Sequence, residues 1–480
     1  MTAIQNILVI CSDQHRRDVM GCSGNSLIET PNLDALARSG TRFARAYCNA
    51  PICVPSRASL ATGLPIHEVP SWDNADPYHG QRRSYMHRLR ETGYETVSIG
   101  KLHYRSTDDD NGYDTELLPM HVVGGTGTFY SLLRDPVPRI LAGSATLRNA
   151  GHGETEYTNY DNDIAQAAVD WITARGQGTK KGPFLLNVSF VNPHPPYVAP
   201  KSLFDTYVAR ALPHPTEADW ALHPSLDGIR QYFDTEAPIP EAVHHSVIAA
   251  YYANVALLDR NIGRVLTALE DAELRENTLI LYVSDHGDTL GEAGLYGKCS
   301  MFEGSVGIPM ILSGPGVPSG RVCQTATQLL DVYPTVLAAA KVPPDEADCL
   351  RRGTSLFDVA GSHDSDRWVL IQDHCAGSVS ATFALTNGQL KYVHHLDFEP
   401  MLFDLERDPL ERDDRVRDVS HRTTCEALRQ RIYEIVDPLA INAACRRSQN
   451  ERANAQGGFE GIMSKVRRTS HTPPPGKPVT

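Results

Sequence analysis

Ile7-Leu8-Val9-Ile10-Cys11-Ser12-Asp13-Gln14 decides how the rest of the chain is read. A short, β-branched apolar run of this kind suits a buried strand. It stops abruptly at Ser12, Asp13 and Gln14, residues that serve chemistry better than packing. The same arrangement returns far downstream in Leu279-Ile280-Leu281-Tyr282-Val283-Ser284-Asp285-His286. Further strand-like runs lie at 96–99, 184–191 and 310–312, and helical patterns at 164–172 and 243–269 fall between them. Thr30-Pro31, then Leu33, Leu36 and Ala37, with Gly40 beyond, read as an N-cap, a proline at N1 and a glycine stop. Strands alternating with helices predict an α/β fold with a large mixed, mostly parallel sheet flanked by helices. Sites in such sheets lie beyond the carboxyl ends of strands. Lys101 and His103 follow the second run, His194 the third, and Asp285 and His286 the fourth.

Two stretches interrupt this pattern. Residues 105–160 are rich in Gly, Thr and Asp, and 195–240 in Pro and His; both read as long excursions of the kind that carry function. Around 343–366 the composition turns loop-like, and strand-like segments at 368–372, 382–386 and 390–394 predict a small antiparallel sheet. The expected organisation is therefore a catalytic domain over 1–362, a small α+β subdomain over 363–440, and a C-terminal arm over 441–480. That arm is charged from about Arg446 and ends in Pro473-Pro474-Pro475-Gly476, a composition expected to be extended or to reach a second subunit.

The chain has 480 residues, 45 basic against 58 acidic side chains and a net charge of −13. A nucleic-acid ligand is not expected, because phosphate-backbone binding needs a basic surface. No stretch approaches the roughly 20 apolar residues of a membrane span, and the first residues lack the basic segment and cleavage site of a secretory signal. A cytoplasmic location is expected. The ten cysteines are scattered without a C-x-x-C pair, which suggests neither a zinc site nor a disulfide framework. Nine of them need no special chemistry, and most of those suit small buried apolar positions.

The tenth is Cys53, in Cys53-Val54-Pro55-Ser56-Arg57 followed by Ala58-Ser59-Leu60-Ala61-Thr62-Gly63. Read as packing alone, it is a buried cysteine before a helix opened by proline. A helix start would also offer free N–H groups and partial positive charge to an anion. C-x-P-S-R resembles the signature of the type I sulfatase family, within the alkaline phosphatase superfamily. The resemblance implies an alkaline-phosphatase-like fold and oxidation of Cys53 to formylglycine by a formylglycine-generating enzyme. One hydroxyl of the hydrated aldehyde would attack sulfur and displace the alcohol; the other would lose its proton and expel sulfate.

Carried over position by position, the resemblance assigns Asp13, Gln14, Asp285 and His286, with residue 53, to one divalent metal ion. Gly100-Lys101-Leu102-His103 matches the family's G-K-x-H, in which Lys101 would contact the anion and the nucleophile and His103 would hydrogen-bond the formylglycine hydroxyl. Asn192-Pro193-His194-Pro195 and Gly297-Lys298 match segments whose histidine and lysine neutralise or protonate the leaving oxygen. Arg57 would orient Lys101 or the hydrate, and Asn74 resembles a substrate-contacting asparagine, though a turn role suits it equally. Pro400 to Glu411 resembles the family's closing segment, which carries the likeness from residue 7 to about 412.

The commonest family pattern has Asp where this chain has Gln14 and Asn where it has His286. Asp-Gln with Asp-His is similar to the phosphonate monoester hydrolase and choline-sulfatase-like branch. One nitrogen donor favours Mn²⁺ or a related metal, whereas an all-oxygen shell suits Ca²⁺. Three readings follow. The first is a sulfatase acting on a small sulfate monoester; the second, a phosphonate monoester or phosphodiester hydrolase using the same site. The third is a non-catalytic binding protein, disfavoured because Cys53, both aspartates and both lysines are present. The expected partner is a small anionic ester, and the arm suggests a homo-oligomer.

Overall fold

The computed structural model describes residues 4–178, 182–214, 223–362, 366–465 and 472–477. Small parts of the proline-rich excursion, of the 343–366 boundary and of the tail therefore lie outside the described residues.

Eight strands form the main sheet: β1 (Asn6–Asp13), β2 (Gly40–Phe43), β3 (Glu95–Lys101), β4 (Thr115–Met120), β5 (Phe184–Pro193), β6 (Thr278–Ser284), β7 (Met310–Ser313) and β8 (Arg321–Cys323). Their order is β8-β2-β7-β6-β1-β5-β3-β4. Every pairing is parallel except those of β7, which runs against both neighbours. The continuous apolar run of β1 is explained by burial on both faces: Ile7, Val9 and Cys11 join one hydrophobic layer, Leu8 and Ile10 the other. Helices α1 (Pro31–Arg38), α3 (Glu156–Gly176) and α5 (Glu241–Asp271) cover the second face, and α4 (Lys201–Val208) packs on α5 through Leu203, Phe204 and Tyr207. On the first lies α2 (Cys53–Thr62), whose every residue is buried.

Two local expectations change. Pro31 sits at N1 of α1 as read, but the Thr30 hydroxyl makes no N-cap bond; it accepts from Gly21 N–H at 2.9 Å instead. Gly40 does not stop the helix in a left-handed turn. It opens β2, where a Cβ would stand 2.1 Å from the Leu312 carbonyl oxygen, so glycine is required by close strand approach.

The expected small sheet is present as β9 (Val369–Asp373), β10 (Thr382–Thr386), β11 (Leu390–His395) and β12 (Met401–Asp404), antiparallel throughout. Its inner face joins the catalytic core through Ile371, Ala384, Val393 and Phe403. Its outer face is covered by helix α6 (Arg422–Ile435), through Leu428 and Ile432.

Beyond it the chain is helical, as α7 (Pro438–Ala455) and α8 (Gly458–Met463). Asp437 caps α7 on the N–H groups of Leu439 and Ala440, both at 3.0 Å. Gln449 and Arg452 of α7 bind the buried carboxylate of Asp73 at 2.9–3.1 Å. That polar anchorage is why so little apolar sequence sufficed, and why composition alone read an extended arm there.

Candidate active site

Four neighbouring parallel strands, β6, β1, β5 and β3, deliver the site residues at their carboxyl ends. Asp13 ends β1, Lys101 ends β3, His194 follows β5 and Asp285 follows β6. Asp285 N–H donates to the Ser12 carbonyl at 3.2 Å, and its Oδ1 accepts from the N–H groups of Gln14 (3.1 Å) and His286 (2.9 Å). Gln14 has φ +71°, a left-handed conformation rare for a side-chain-bearing residue and held here by those bonds.

Cys53 is the first residue of α2, two positions earlier than a proline-opened helix would place it. Proline costs nothing in a first turn, where its missing N–H has no partner to lose. Ser56 Oγ ties the helix to the Asp285 carbonyl at 2.5 Å, and Val54 N–H donates to Asn74 Oδ1 at 3.1 Å. Asn74 therefore serves the helix start while lining a pocket above Cys53.

The charged groups interlock. Arg57 donates to Asp285 Oδ2 (2.8 Å), Asp13 Oδ2 (3.3 Å), the Lys101 carbonyl (2.8 Å) and Ser189 Oγ (3.0 Å). Lys101 Nζ sits 2.5 Å from Asp13 Oδ2. Burial opposes the Asp13 charge, but Lys101, His194, Lys298 and Arg57 hold its carboxyl well below the usual range. Lys298 Nζ donates to Cys53 Sγ at 3.0 Å, and Nε2 of His286 lies 3.2 Å from the same sulfur. Burial and Asp13 push the Cys53 thiol up, yet Lys298, His286 and Lys101 bring it below its ordinary value. The His286 Nδ1–H donates to the Gly287 carbonyl at 2.9 Å, which leaves Nε2 for the site.

Two predicted residues stand slightly apart. His103 pairs its Nε2 with Thr472 Oγ1 at 3.2 Å rather than with Cys53; burial and Lys101 keep it neutral. His194 lines the pocket with its Nδ1–H on the Pro195 carbonyl at 2.7 Å. Its loop is fixed by Asp161, which accepts from Val191 N–H and Asn192 N–H, both at 2.8 Å.

Asp13, Cys53, Asp285 and His286 bring one ligand atom each within 4.8 Å of one another, all buried. Beside them Gln14 Oε1 is buried without a hydrogen-bond donor, an arrangement costly to a protein unless something positive meets it. These donors fit a divalent cation.

Sequence reading missed the supports. Asp288 accepts from Tyr197 Oη at 3.0 Å and from the Gln14 side chain, which turns the Gln14 oxygen toward the donor group; burial pushes Asp288 up to about 7. Asp161 and Thr472 were also missed. Asp288 alone carried a signal, as the acidic residue three beyond Asp285.

A family model described as "Sulfatase" matches residues 5–342, and "N-sulphoglucosamine sulphohydrolase, C-terminal" matches 291–437. The chain is 32% identical over 477 residues to choline-sulfatase of Rhizobium meliloti (strain 1021), covering 94% of this chain and 90% of that protein. It is 29% identical over 454 residues to an arylsulfatase of Clostridium perfringens (strain 13 / Type A), with 88% and 93% covered. The fold matches the crystal structure of phosphonate monoester hydrolase of Agrobacterium radiobacter with a TM-score of 0.73 at 23% identity, over 92% of this chain and 96% of that one. The family match runs unbroken from β1 through every strand end that supplies the site, and on that extent this chain belongs to the sulfatase family.

Proposed function

We propose that this protein is a formylglycine-dependent sulfatase that hydrolyses a small sulfate monoester to an alcohol and inorganic sulfate. The observation that supports it most directly is Cys53 at the start of α2, beneath a pocket, with Lys298 Nζ at 3.0 Å and His286 Nε2 at 3.2 Å. Formylglycine at residue 53, once formed, supplies a geminal diol of which one hydroxyl is the nucleophile and the other expels sulfate. Lys101 and Lys298 offer positive charge to the ester's oxygens, and the partial positive charge of the α2 start adds to it. Lys298 and His194 are the proton donors to the departing alcohol oxygen. Arg57 holds Asp13 and Asp285 in place. Asp13, Gln14, Asp285 and His286 would hold a divalent ion, Mn²⁺ or Ca²⁺, which would supply Lewis acidity at this position.

Cys53 is only 1% exposed, so the formylglycine-generating enzyme meets segment 53–57 before the chain folds. Ten unpaired cysteines suit a reducing, cytoplasmic location, and among the described residues no helix is long and apolar enough to cross a membrane. We further propose a domain division at 362/363, an oligomer built through the C-terminal segment, and no nucleic-acid or membrane partner.

Gln14 and His286 favour one second reading, a phosphonate monoester or phosphodiester hydrolase. The deciding experiment compares kcat/KM for an aryl sulfate and an aryl phosphonate monoester on one preparation of known formylglycine content. Preference for sulfate is expected; clear preference for phosphonate would move the protein to the second reading. Mass spectrometry of tryptic peptide 46–57 should show residue 53 as the aldehyde, and an active preparation with an intact thiol would end the formylglycine mechanism.

A further inference from the structure

The pocket above Cys53 divides sharply by chemistry. Its floor carries Lys101, Lys298, His103 and His194, already described. Its walls include Tyr130, Ile140, Leu147, Tyr232, Phe233 and Tyr296, and no aspartate or glutamate lines it among the described residues.

Apart from Tyr296, the wall is built as one unit from the two long excursions. Ile140 N–H donates to the Tyr232 carbonyl at 2.9 Å, and Gln231 Nε2 to the Val137 carbonyl at 2.7 Å. Gly143 lies so close that a Cβ there would stand 2.2 Å from the Phe233 carbonyl oxygen. Arg139 pairs with Asp234 at 2.9 Å on the outer side. Tyr232 and Phe233 meet edge to face at 5.1 Å, and Tyr130 tilts against Tyr232 at 6.1 Å. Ile140 and Tyr232 are buried in this cluster, whereas Phe233 and Tyr130 are half-buried and keep apolar surface toward the pocket. A surface this apolar, held this firmly, is shaped for an occupant rather than for water.

We propose that the alcohol portion of the substrate is uncharged and predominantly apolar, ring-sized or larger, and that Phe233, with Tyr130, Tyr232, Ile140 and Leu147, selects it. This rests on the sulfatase reading and names the substrate class of that site. A sugar would bring several hydroxyls against walls with few groups left to meet them: besides Thr128, Thr146 and Thr235 there are tyrosines, of which Tyr157, Tyr197 and Tyr296 already spend their hydroxyls on Thr472, Asp288 and His244, so some sugar hydroxyls would be dehydrated and unpaired. A quaternary ammonium group would meet aromatic rings, which attract it. It would also share the pocket with two lysines and find no carboxylate, so its charge would be desolvated with little return. A neutral group of the same shape buries the same area without that loss.

Choline O-sulfate and 3,3-dimethylbutyl sulfate test this directly, because they differ only in N(CH₃)₃⁺ against C(CH₃)₃. Binding is measured by calorimetry on Mn²⁺-loaded Cys53→Ala protein, which lacks the nucleophile, with glucose 6-sulfate as the polyhydroxylated ester. The neutral ester should bind about tenfold or more tightly than either alternative. Phe233→Ala should shrink that ratio, and Phe233→Tyr, which keeps the ring area, should preserve most of it. Equal or tighter binding of choline O-sulfate or of glucose 6-sulfate overturns the proposal, as does an unchanged ratio in folded Phe233→Ala. If no sulfate ester binds but phosphonate monoesters do, the sulfatase reading fails instead. The selection by the wall is then judged from the same three alcohols as phosphonates.

Discussion

Replacing Arg57 by Met keeps the stem of the side chain and removes its charge and its donors. Arg57 is 4% exposed and bridges two carboxylates that are fully buried. The loss can be apportioned. Asp13 keeps Lys101 at 2.5 Å, so Asp285 is the carboxylate left short of positive charge. Breaking one buried ion pair by removing a partner costs about 3–5 kcal/mol. The Lys101 carbonyl and Ser189 Oγ lose donors as well, although a hydroxyl can turn to another acceptor. A loss of about 4 kcal/mol is expected, a large part of the roughly 5–15 kcal/mol that holds a domain folded. Urea unfolding in the presence of a chelator, followed by fluorescence and circular dichroism, measures it. Arg57→Lys should recover less than half, because one ammonium cannot reach both carboxylates and the Lys101 carbonyl together. Mn²⁺ should stabilise Arg57→Met more than the parent, since a competing cation has gone and binding to the folded state adds stability by mass action. A loss below about 1 kcal/mol, or an equal metal response in the two proteins, would refute the view that Arg57 cements the two carboxylates.

Asp285→Ala should lose both bound metal, read by elemental analysis of the dialysed protein, and turnover; full activity without metal would remove these donors from the site. Lys298→Ala should lower kcat by about 10²–10⁴ for an alkyl sulfate but by much less for a nitrophenyl sulfate, whose leaving oxygen needs no proton. Equal losses on both would mean that Lys298 does not assist departure. Asp373 is buried, and its carboxyl is pushed up to about 7 by burial, only partly relieved by Arg134. An acid whose folded pKa is raised gives its full contribution below its unfolded value, and loses it as pH rises through the folded one. Asp373→Asn should therefore match the parent in stability near pH 4 and exceed it near pH 8 by up to a few kcal/mol. A difference that does not grow with pH would show Asp373 ionised throughout.

Much of the fold and part of the site were set by short-range pattern. The run 7–11 ends in Asp13 because a strand buried on both faces must be apolar until it leaves the sheet. The same rule placed Lys101, His194 and Asp285 at strand ends, and one residue pattern, Cys53 to Arg57, marked the helix start between them. Tertiary structure decided everything that depends on which strand ends become neighbours. The order β6-β1-β5-β3 lets one guanidinium reach Asp13, Asp285, Lys101 and Ser189, and no spacing in the sequence predicts that meeting. Asp288 gains its role only because the backbone at Gln14 turns left-handed and puts the two side chains together. The excursions read as loops because they lack periodicity; their apolar side chains become a wall when Gly143 lets one segment lie against the other. Likewise α7 looks like a solvated arm until Asp73 supplies the buried charge that Arg452 and Gln449 bind. Local sequence fixes where a chain can be strand or helix, because those choices depend on neighbours a few residues away. A site depends on distances between residues hundreds of positions apart, and only packing sets those.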